Sequence, residues 1–197
     1  MDTRKDISTA LLVMDPHPVF LDRLEKQQAG TLIGNLLQAI AAARKAGIPV
    51  IYVVLGFREG MPEISPDNRS FHNYKRSTPD FHRMLGASSI APELAPQPGD
   101  LVVTKRRVSA FTGSDLEIVL RAQKIHHLVL SGISTSGVVL STLREAADKD
   151  FQLTVLSDGC ADPDGEVHTV LLSRVFPRQA EVLTIAEWAG RITADRE

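Results

Sequence analysis

The chain has 197 residues, of which 43% are hydrophobic, and its formal net charge is -2 at pH 7; these values suit one domain with a substantial core and exclude a disordered or fibrous protein. Lys and Arg residues are scattered along the chain, so nucleic acid is not an expected partner. The charged N-terminal stretch MDTRKDIST and the single Cys residue indicate no secretion signal, no membrane span and no intramolecular disulfide, so we expect a cytoplasmic protein without a membrane partner.

The first predicted element is a strand over residues 9–15. Its continuous apolar sequence is typical of a strand that is buried on both faces of a parallel sheet, and it ends in Asp15. Ligands of open α/β sheets bind at the carboxyl ends of strands, so Asp15 is a candidate functional residue, although Asp also commonly ends a strand at a turn. Pro16-His17-Pro18 follows, and we interpret His17 as a residue of a surface loop.

A stripe of apolar residues predicts a helix over residues 31–46, and residues 48–55 form a second apolar strand. Residues 56–98 then combine prolines, charges and aromatics without a sustained period. This segment is too long for a simple connection, so we predict a lid or a dimer arm over the strand ends, and a homodimer or higher homo-oligomer. Its basic residues include Arg58, Arg69, Lys75 and Arg76. They could clamp a substrate carboxylate, but solvated loop charges are the favoured interpretation.

The third predicted strand, residues 101–104, leads into Lys105. A Lys at a strand end is ordinarily a surface residue whose ammonium group reaches solvent. Asp15 and Lys105, however, both end buried apolar strands, and a charge near a core needs a compensating partner. We therefore predict that the two charged groups lie within ion-pair distance at the carboxyl ends of adjacent strands.

A strand, a glycine elbow rich in hydroxyl groups and an amphipathic helix follow one another in residues 127–150. Ser131-Gly132 end the strand, and apolar residues return at helical spacing from Val138. The first amides of a helix that begins at such a turn lack backbone partners, so the elbow suits an anion or a developing oxyanion. The residues around this place are Ser134, Thr135, Ser136 and Gly137.

The remaining chain predicts strands over residues 152–157 and 180–184 and helices over 166–174 and 185–189. Six strands separated by helical segments favour a parallel sheet that is covered on both faces. The chain contains no Gly-x-Gly-x-x-Gly after the first strand, no Walker pattern and no His-x-x-x-His, so we expect neither a cofactor nor a metal. Cys160 has no base nearby in the sequence, and an isolated intracellular Cys is more often a small buried residue than a nucleophile.

The elbow itself reads Gly-Ile-Ser-Thr at residues 132–135 and is followed by Thr142 and Arg144. This pattern resembles the nucleophile elbow of the isochorismatase-like hydrolases, also called the cysteine hydrolase superfamily. Their elbow mostly reads Gly-Val/Ile-Ala-Thr, then two residues, then the catalytic Cys, and this spacing corresponds to Val138. A Val side chain can neither attack a carbonyl nor exchange a proton. Lys105 before Ser-Ala-Phe, and residues 158–162, resemble further motifs of the family.

The resemblance implies an α/β, Rossmann-like fold of three α-β-α layers, with a six-stranded parallel sheet in the order 3-2-1-4-5-6 and a single domain over residues 1–197. It implies that Asp15 is a general acid or base and that Lys105 lies beside it and beside the nucleophile position. It also implies a non-proline cis peptide bond between Ile133 and Ser134, which would aim backbone amides at the ligand. The residues that we expect to contact a small-molecule substrate are Ile133, Ser134, Thr135, Ser136, Gly137, Phe20 and Phe111.

Three hypotheses for the function stay open at this point. In the first, the protein is a hydrolase that acts without a covalent intermediate on a small molecule with a carboxylate or an amide. Asp15 would then be the acid, Lys105 would balance substrate charge, and the elbow amides would hold a carboxylate. In the second, the protein has lost catalysis and serves as a binding or assembly module. In the third, it is an amidase that uses Cys160.

Overall fold

A computed structural model describes residues 8–194, and its centre is one six-stranded sheet. The strands are β1 (Ser8–Met14), β2 (Val50–Leu55), β3 (Leu101–Lys105), β4 (Ile125–Ile133), β5 (Gln152–Ala161) and β6 (Glu181–Leu183). All neighbouring strands are parallel, and their order is β3-β2-β1-β4-β5-β6. The predicted fold class and strand order are confirmed. The carboxyl ends of all six strands therefore meet at one edge of the sheet.

The helices are α1 (Pro18–Leu21), α2 (Lys26–Lys45), α3 (Arg69–Ser77), α4 (Leu116–Ala122), α5 (Leu140–Asp148), α6 (Gly165–Val170) and α7 (Ile185–Ala194). Alternate residues of a strand point to opposite faces, so each strand contributes to two cores. Leu12 of β1 packs in the core that α4 and α5 cover. Leu11 packs in the core that α2 and α7 cover. The three α-β-α layers follow from this alternation. None of the helices within residues 8–194 has the length and hydropathy of a membrane span.

Residues 56–98 are more ordered than their sequence predicts. They contain α3 and form a third hydrophobic core with the end of β2. Its buried members are Leu55, Phe57, Met61, Ile64, Phe71, Phe81 and Leu85. The amide of Ala91 donates to the carbonyl of Pro16 at 2.9 Å, which ties the segment to the loop after β1. Its role as a lid or a dimer arm stays a prediction.

The elbow begins later than predicted, because β4 continues through Ser131 and Gly132 to Ile133. Gly132 has φ +132, and a Cβ atom there would lie 2.1 Å from the carbonyl oxygen of Met14. Only a glycine permits this approach of β4 to β1. β5 is also longer than predicted: its register against β4 shifts after Val155, and Cys160 pairs with Gly132. The shift brings the segment after β5 alongside the elbow.

Candidate functional site

An ion pair between Asp15 and Lys105 lies at the carboxyl edge of the sheet. The Oδ2 atom of Asp15 and the Nζ atom of Lys105 are 2.9 Å apart, and the two residues are 5% and 1% exposed. The predicted contact is confirmed. The predicted placement on adjacent strands is wrong, because β2 lies between β1 and β3. The long Lys side chain spans the end of β2 to reach the carboxylate.

Both charged groups make one further hydrogen bond to the backbone. The amide of Leu55, the last residue of β2, donates to Oδ1 of Asp15 at 3.0 Å. The ammonium group of Lys105 donates to the carbonyl oxygen of Arg107 at 2.9 Å. An ammonium group has three N–H donors, and two of those of Lys105 have these partners within residues 8–194. Asp15 has φ +53, a conformation that Asp and Asn adopt more readily than most residues.

The elbow carries the predicted cis peptide bond between Ile133 and Ser134. Residues 135–139 form a wide helical turn that continues into α5. The amide of Ser136 donates to Oδ2 of Asp162 at 2.7 Å, and the amides of Gly137 and Val139 each donate to the carbonyl of Ser134 at 3.2 Å. The carboxylate of Asp162 thus occupies part of the predicted anion-binding site.

Asp162 is the residue of this region that the sequence reasoning missed. It is 4% exposed, and its second oxygen, Oδ1, accepts from the amide of Asp164 at 3.2 Å. Thr135, beside it, is fully buried and its hydroxyl pairs with Nδ1 of His168 at 2.8 Å. Burial lowers the pKa of His168, and the charge of Asp162 opposes this shift. The start of the elbow helix is therefore held by side chains that follow β5.

Val138 occupies the position where the resemblance predicts a nucleophile. It is 2% exposed and packs in the core that α4 and α5 cover. The position is apolar and closely packed. Its predicted placement between Asp15 and Lys105 stays a prediction.

Phe20 and Phe111 have different surroundings. The Phe20 ring contacts His17 edge-on, with 5.9 Å between ring centroids, and also contacts Phe81. Phe111 is 6% exposed, and its ring lies 5.9 Å from that of Phe151, the residue before β5. Phe20 therefore borders the loop after β1, whereas Phe111 fills the core. A role of either residue in substrate binding stays a prediction.

His17 does not lie on the surface, so this interpretation of the sequence is wrong. Its side chain is fully buried, and Nδ1 pairs with the carbonyl oxygen of Ser89 at 3.0 Å. Burial lowers the pKa of the ring; the hydrogen bond to Ser89 and the charge of Asp15 oppose this shift, and the charge of Lys105 adds to it. His17 is thus a buried group of the Asp15–Lys105 region. Its position two residues after Asp15 was the only sequence signal for this placement.

Cys160 has the environment of a structural residue. Its thiol is buried, and the sulfur donates weakly to the carbonyl of Leu130 at 3.9 Å. Burial raises its pKa to about 12. Since the thiolate is the reactive form of a cysteine, this environment argues against the hypothesis of a Cys160 amidase.

The basic residues of segment 56–98 make contacts within their own region. Arg58 pairs with Glu63 at 2.7 Å, and the ammonium group of Lys75 donates to the carbonyl of Met61 at 2.9 Å. These contacts favour the interpretation of structural and solvated charges over a carboxylate clamp. Among residues 8–194, no group of three or more His, Cys, Asp or Glu side chains is arranged to hold a metal.

A cleft of about 420 Å³ lies between α2 and the end of β5. Gln28, Asn35, Asp158, Cys160 and His168 are among its lining residues. Asp15 and Lys105 do not line this cleft. The ion pair therefore lies outside this cleft, and both of its side chains are almost fully buried.

The sequence profile of the isochorismatase domain matches residues 9–187. The ureidoacrylate amidohydrolase RutB of Pseudomonas syringae pv. syringae (strain B728a) is 32% identical, over 94% of this chain and 80% of the relative. RutB of Pantoea ananatis (strain LMG 20103) is 34% identical, over 94% and 78%.

Solved structures share the fold. A cysteine hydrolase from Pseudomonas syringae pv. phaseolicola 1448A superposes with a TM-score of 0.80 at 24% identity, over 95% of this chain and 93% of that one. The N-carbamoylsarcosine amidase from Thermoplasma acidophilum superposes with a TM-score of 0.71 at 27% identity, over 91% and 97%.

Proposed function

Because the chain belongs to the isochorismatase family, we propose that it is a hydrolase that cleaves an amide bond of a small carboxylate-bearing molecule without a covalent enzyme intermediate. The observation that carries this proposal is the buried pair of Asp15 and Lys105, whose charged atoms are 2.9 Å apart. A carboxylate and an ammonium group enclosed together can exchange a proton with a substrate and stabilise charge on it.

Water is the nucleophile in this mechanism, since Val138 has no group that can attack a carbonyl. The water oxygen bonds to the carbonyl carbon of the amide while its proton passes to Asp15. The C–N bond then breaks, and the nitrogen leaves with that proton. Asp15 thus acts first as the base and then as the acid. The third N–H of Lys105 donates to the oxygen on which negative charge develops.

The names of the relatives support a substrate class. Ureidoacrylate and N-carbamoylsarcosine are both carboxylic acids that carry a carbamoylated nitrogen, and relatives named for these two compounds match over more than 90% of this chain. We therefore propose an N-carbamoyl acid as the substrate. Ammonia release from a panel of N-carbamoyl amino acids tests this. Turnover of the N-acetyl analogues and of isochorismate, which release no ammonia, is followed alongside by chromatography of their products.

The alternative function is a binding or assembly module without catalysis, and the apolar, buried Val138 favours it. Two variants separate the alternatives. Activity that survives in Cys160→Ser and disappears in Asp15→Asn supports the hydrolase. A protein that turns over none of the compounds supports the module.

A further inference from the structure

His17 lies in the loop that follows β1, two residues after Asp15. Its backbone amide donates to the carbonyl of Asp15 at 2.7 Å, so its position is coupled to that of the carboxylate residue. The side chain is fully buried. Phe20 contacts one edge of the ring, and Ser89 of segment 56–98 contacts Nδ1. The imidazole is therefore fixed between the loop and this segment.

The contact with Ser89 determines which ring nitrogen carries the proton. A carbonyl oxygen is only an acceptor, so Nδ1 must be the N–H that donates to it. Burial lowers the pKa of the ring, which favours the neutral form. In a neutral imidazole with a proton on Nδ1, the other nitrogen, Nε2, has a free lone pair and is an acceptor.

The Nε2 atom of His17 is buried and receives no hydrogen bond from residues 8–194. Buried polar atoms almost always have a partner, and one without a partner is destabilising. Glu63 Oε2 and His82 Nδ1 share this property, but His17 is the one whose residue contacts Asp15. The residue that carries this acceptor is therefore hydrogen-bonded through its backbone to Asp15, at the carboxyl edge of the sheet.

We propose that Nε2 of His17 accepts a hydrogen bond from an N–H group of the substrate and selects molecules with a terminal carbamoyl NH2 over molecules with a methyl group there. This inference rests on the proposed N-carbamoyl acid substrate. An N–H donor satisfies the acceptor, whereas a methyl group leaves it without a partner. A site with a buried acceptor rejects an analogue that lacks the donor more strongly than a purely apolar site does.

Nitrogen NMR of the protein with 15N-labelled histidine tests the state of the ring directly. The free protein is expected to show His17 with a proton on Nδ1 and none on Nε2. Addition of N-carbamoylglycine is expected to shift the Nε2 resonance towards that of a hydrogen-bonded nitrogen. A proton on Nε2 in the free protein, or an Nε2 resonance that the compound leaves unchanged, overturns the inference.

Two variants test selectivity through binding. In His17→Asn, the side-chain amide can take the place of Nδ1 and donate to Ser89, but the acceptor is lost. In His17→Gln, an amide oxygen can take the place of Nε2. Calorimetry is expected to show that the wild-type protein binds N-carbamoylglycine about tenfold more tightly than N-acetylglycine, the equivalent of one hydrogen bond. The preference should disappear in His17→Asn and persist in His17→Gln.

Three results overturn this inference: equal affinities of the wild-type protein for the two compounds, no binding of either, or an unchanged preference in His17→Asn. Binding is measured here without reference to turnover. An inactive protein that still shows the preference would therefore refute the proposed hydrolysis and uphold the role of His17. An active protein without the preference would uphold the proposed hydrolysis and refute the role of His17.

Discussion

The Oδ2 atom of Asp15 and the Nζ atom of Lys105 are 2.9 Å apart although their strands are separated by β2. Neighbouring strands lie about 4.8 Å apart, so the two backbones are separated by about 10 Å. The Lys side chain covers most of this distance, and the amide of Leu55, at the end of the strand between them, holds the other carboxylate oxygen. The pair therefore depends on three strands at once.

A double-mutant cycle tests this dependence. Lys105→Met leaves a buried carboxylate without its partner and is expected to lower the free energy of unfolding by about 3–5 kcal/mol. Asp15→Asn keeps the left-handed backbone conformation, which Asn tolerates. The double variant should be more stable than Lys105→Met alone, because no buried charge is left unpaired. Urea denaturation measures the free energy of unfolding of the two single variants and of the double variant.

The exposed ion pair of Arg191 and Glu181 is the control for this cycle. Its atoms are 2.6 Å apart, but the side chains are 54% and 53% exposed. Arg191→Met is expected to leave the stability almost unchanged, since solvent screens such pairs. A similar effect of Arg191→Met and Lys105→Met would contradict the importance assigned to burial.

Gly132→Ala is expected to be strongly destabilising. The new Cβ atom would lie 2.1 Å from the carbonyl oxygen of Met14, and the φ angle of +132 is unfavourable for alanine. We expect a loss of about 3 kcal/mol or more in the free energy of unfolding. Gly30→Ala in α2 meets no atom within 4 Å and should stabilise the protein by about 0.5–1 kcal/mol. Equal effects of the two substitutions would refute the close approach of β4 to β1.

The sequence predicts the sheet well, because a strand of a parallel sheet is buried on both faces and reads as a continuous apolar run. The first strand, the strand before Lys105 and the strand before the elbow are all found close to their predicted places. The contact of Asp15 with Lys105 was predictable for the same reason, since both residues end such runs. The extension of β5 to Ala161 was not, because it results from a register shift against β4.

The burial of His17 and the role of Asp162 depend on contacts with distant residues. His17 is covered by a segment that includes Ser89, 72 positions away in sequence. Asp162 binds the amide of Ser136 across 26 positions. Local patterns such as Pro-His-Pro carry no information about these partners. The aromatic core of segment 56–98 was missed because its residues follow neither the helical nor the strand period.

His127 is expected to make folding stability depend on pH. Its Nδ1 pairs with Thr9 and its Nε2 with Thr154, and burial lowers the pKa of the ring. In the unfolded chain this His has an ordinary pKa of about 6.5. Just below that pH, the unfolded chain therefore binds a proton at His127 and the folded chain does not. The free energy of unfolding should fall as the pH decreases from about 7 to about 5.

Two substitutions isolate this contribution. His127→Gln should make the dependence of the unfolding free energy on pH shallower, as measured by urea denaturation at several pH values. His126→Gln changes an exposed neighbour and should leave the slope as it is. A slope that responds equally to both substitutions would assign the pH dependence to general charge effects.

Val138→Cys tests whether Val138 occupies the nucleophile position. The change nearly conserves volume, so little stability should be lost. If Val138 occupies that position, a thiol there would lie near the start of the elbow helix and near Lys105, which both stabilise a thiolate, and Asp15 would be available to take the proton. The new thiol should react with iodoacetamide faster than Cys160, whose pKa burial raises to about 12.

Val139→Cys is the matched control, because Val139 is the next residue and is also fully buried. If local opening of the elbow helix were the cause of a fast reaction, the thiols of Val138→Cys and Val139→Cys would react at equal rates.

The carboxylate of Asp162 already lies at the helix start, where it binds the amide of Ser136, and its negative charge opposes a thiolate nearby. Asp162→Asn should therefore increase the reactivity of Val138→Cys further and leave that of Val139→Cys nearly unchanged. If the thiols at residues 138 and 139 react equally, Val138 does not occupy the nucleophile position, and the water mechanism based on that alignment has to be abandoned.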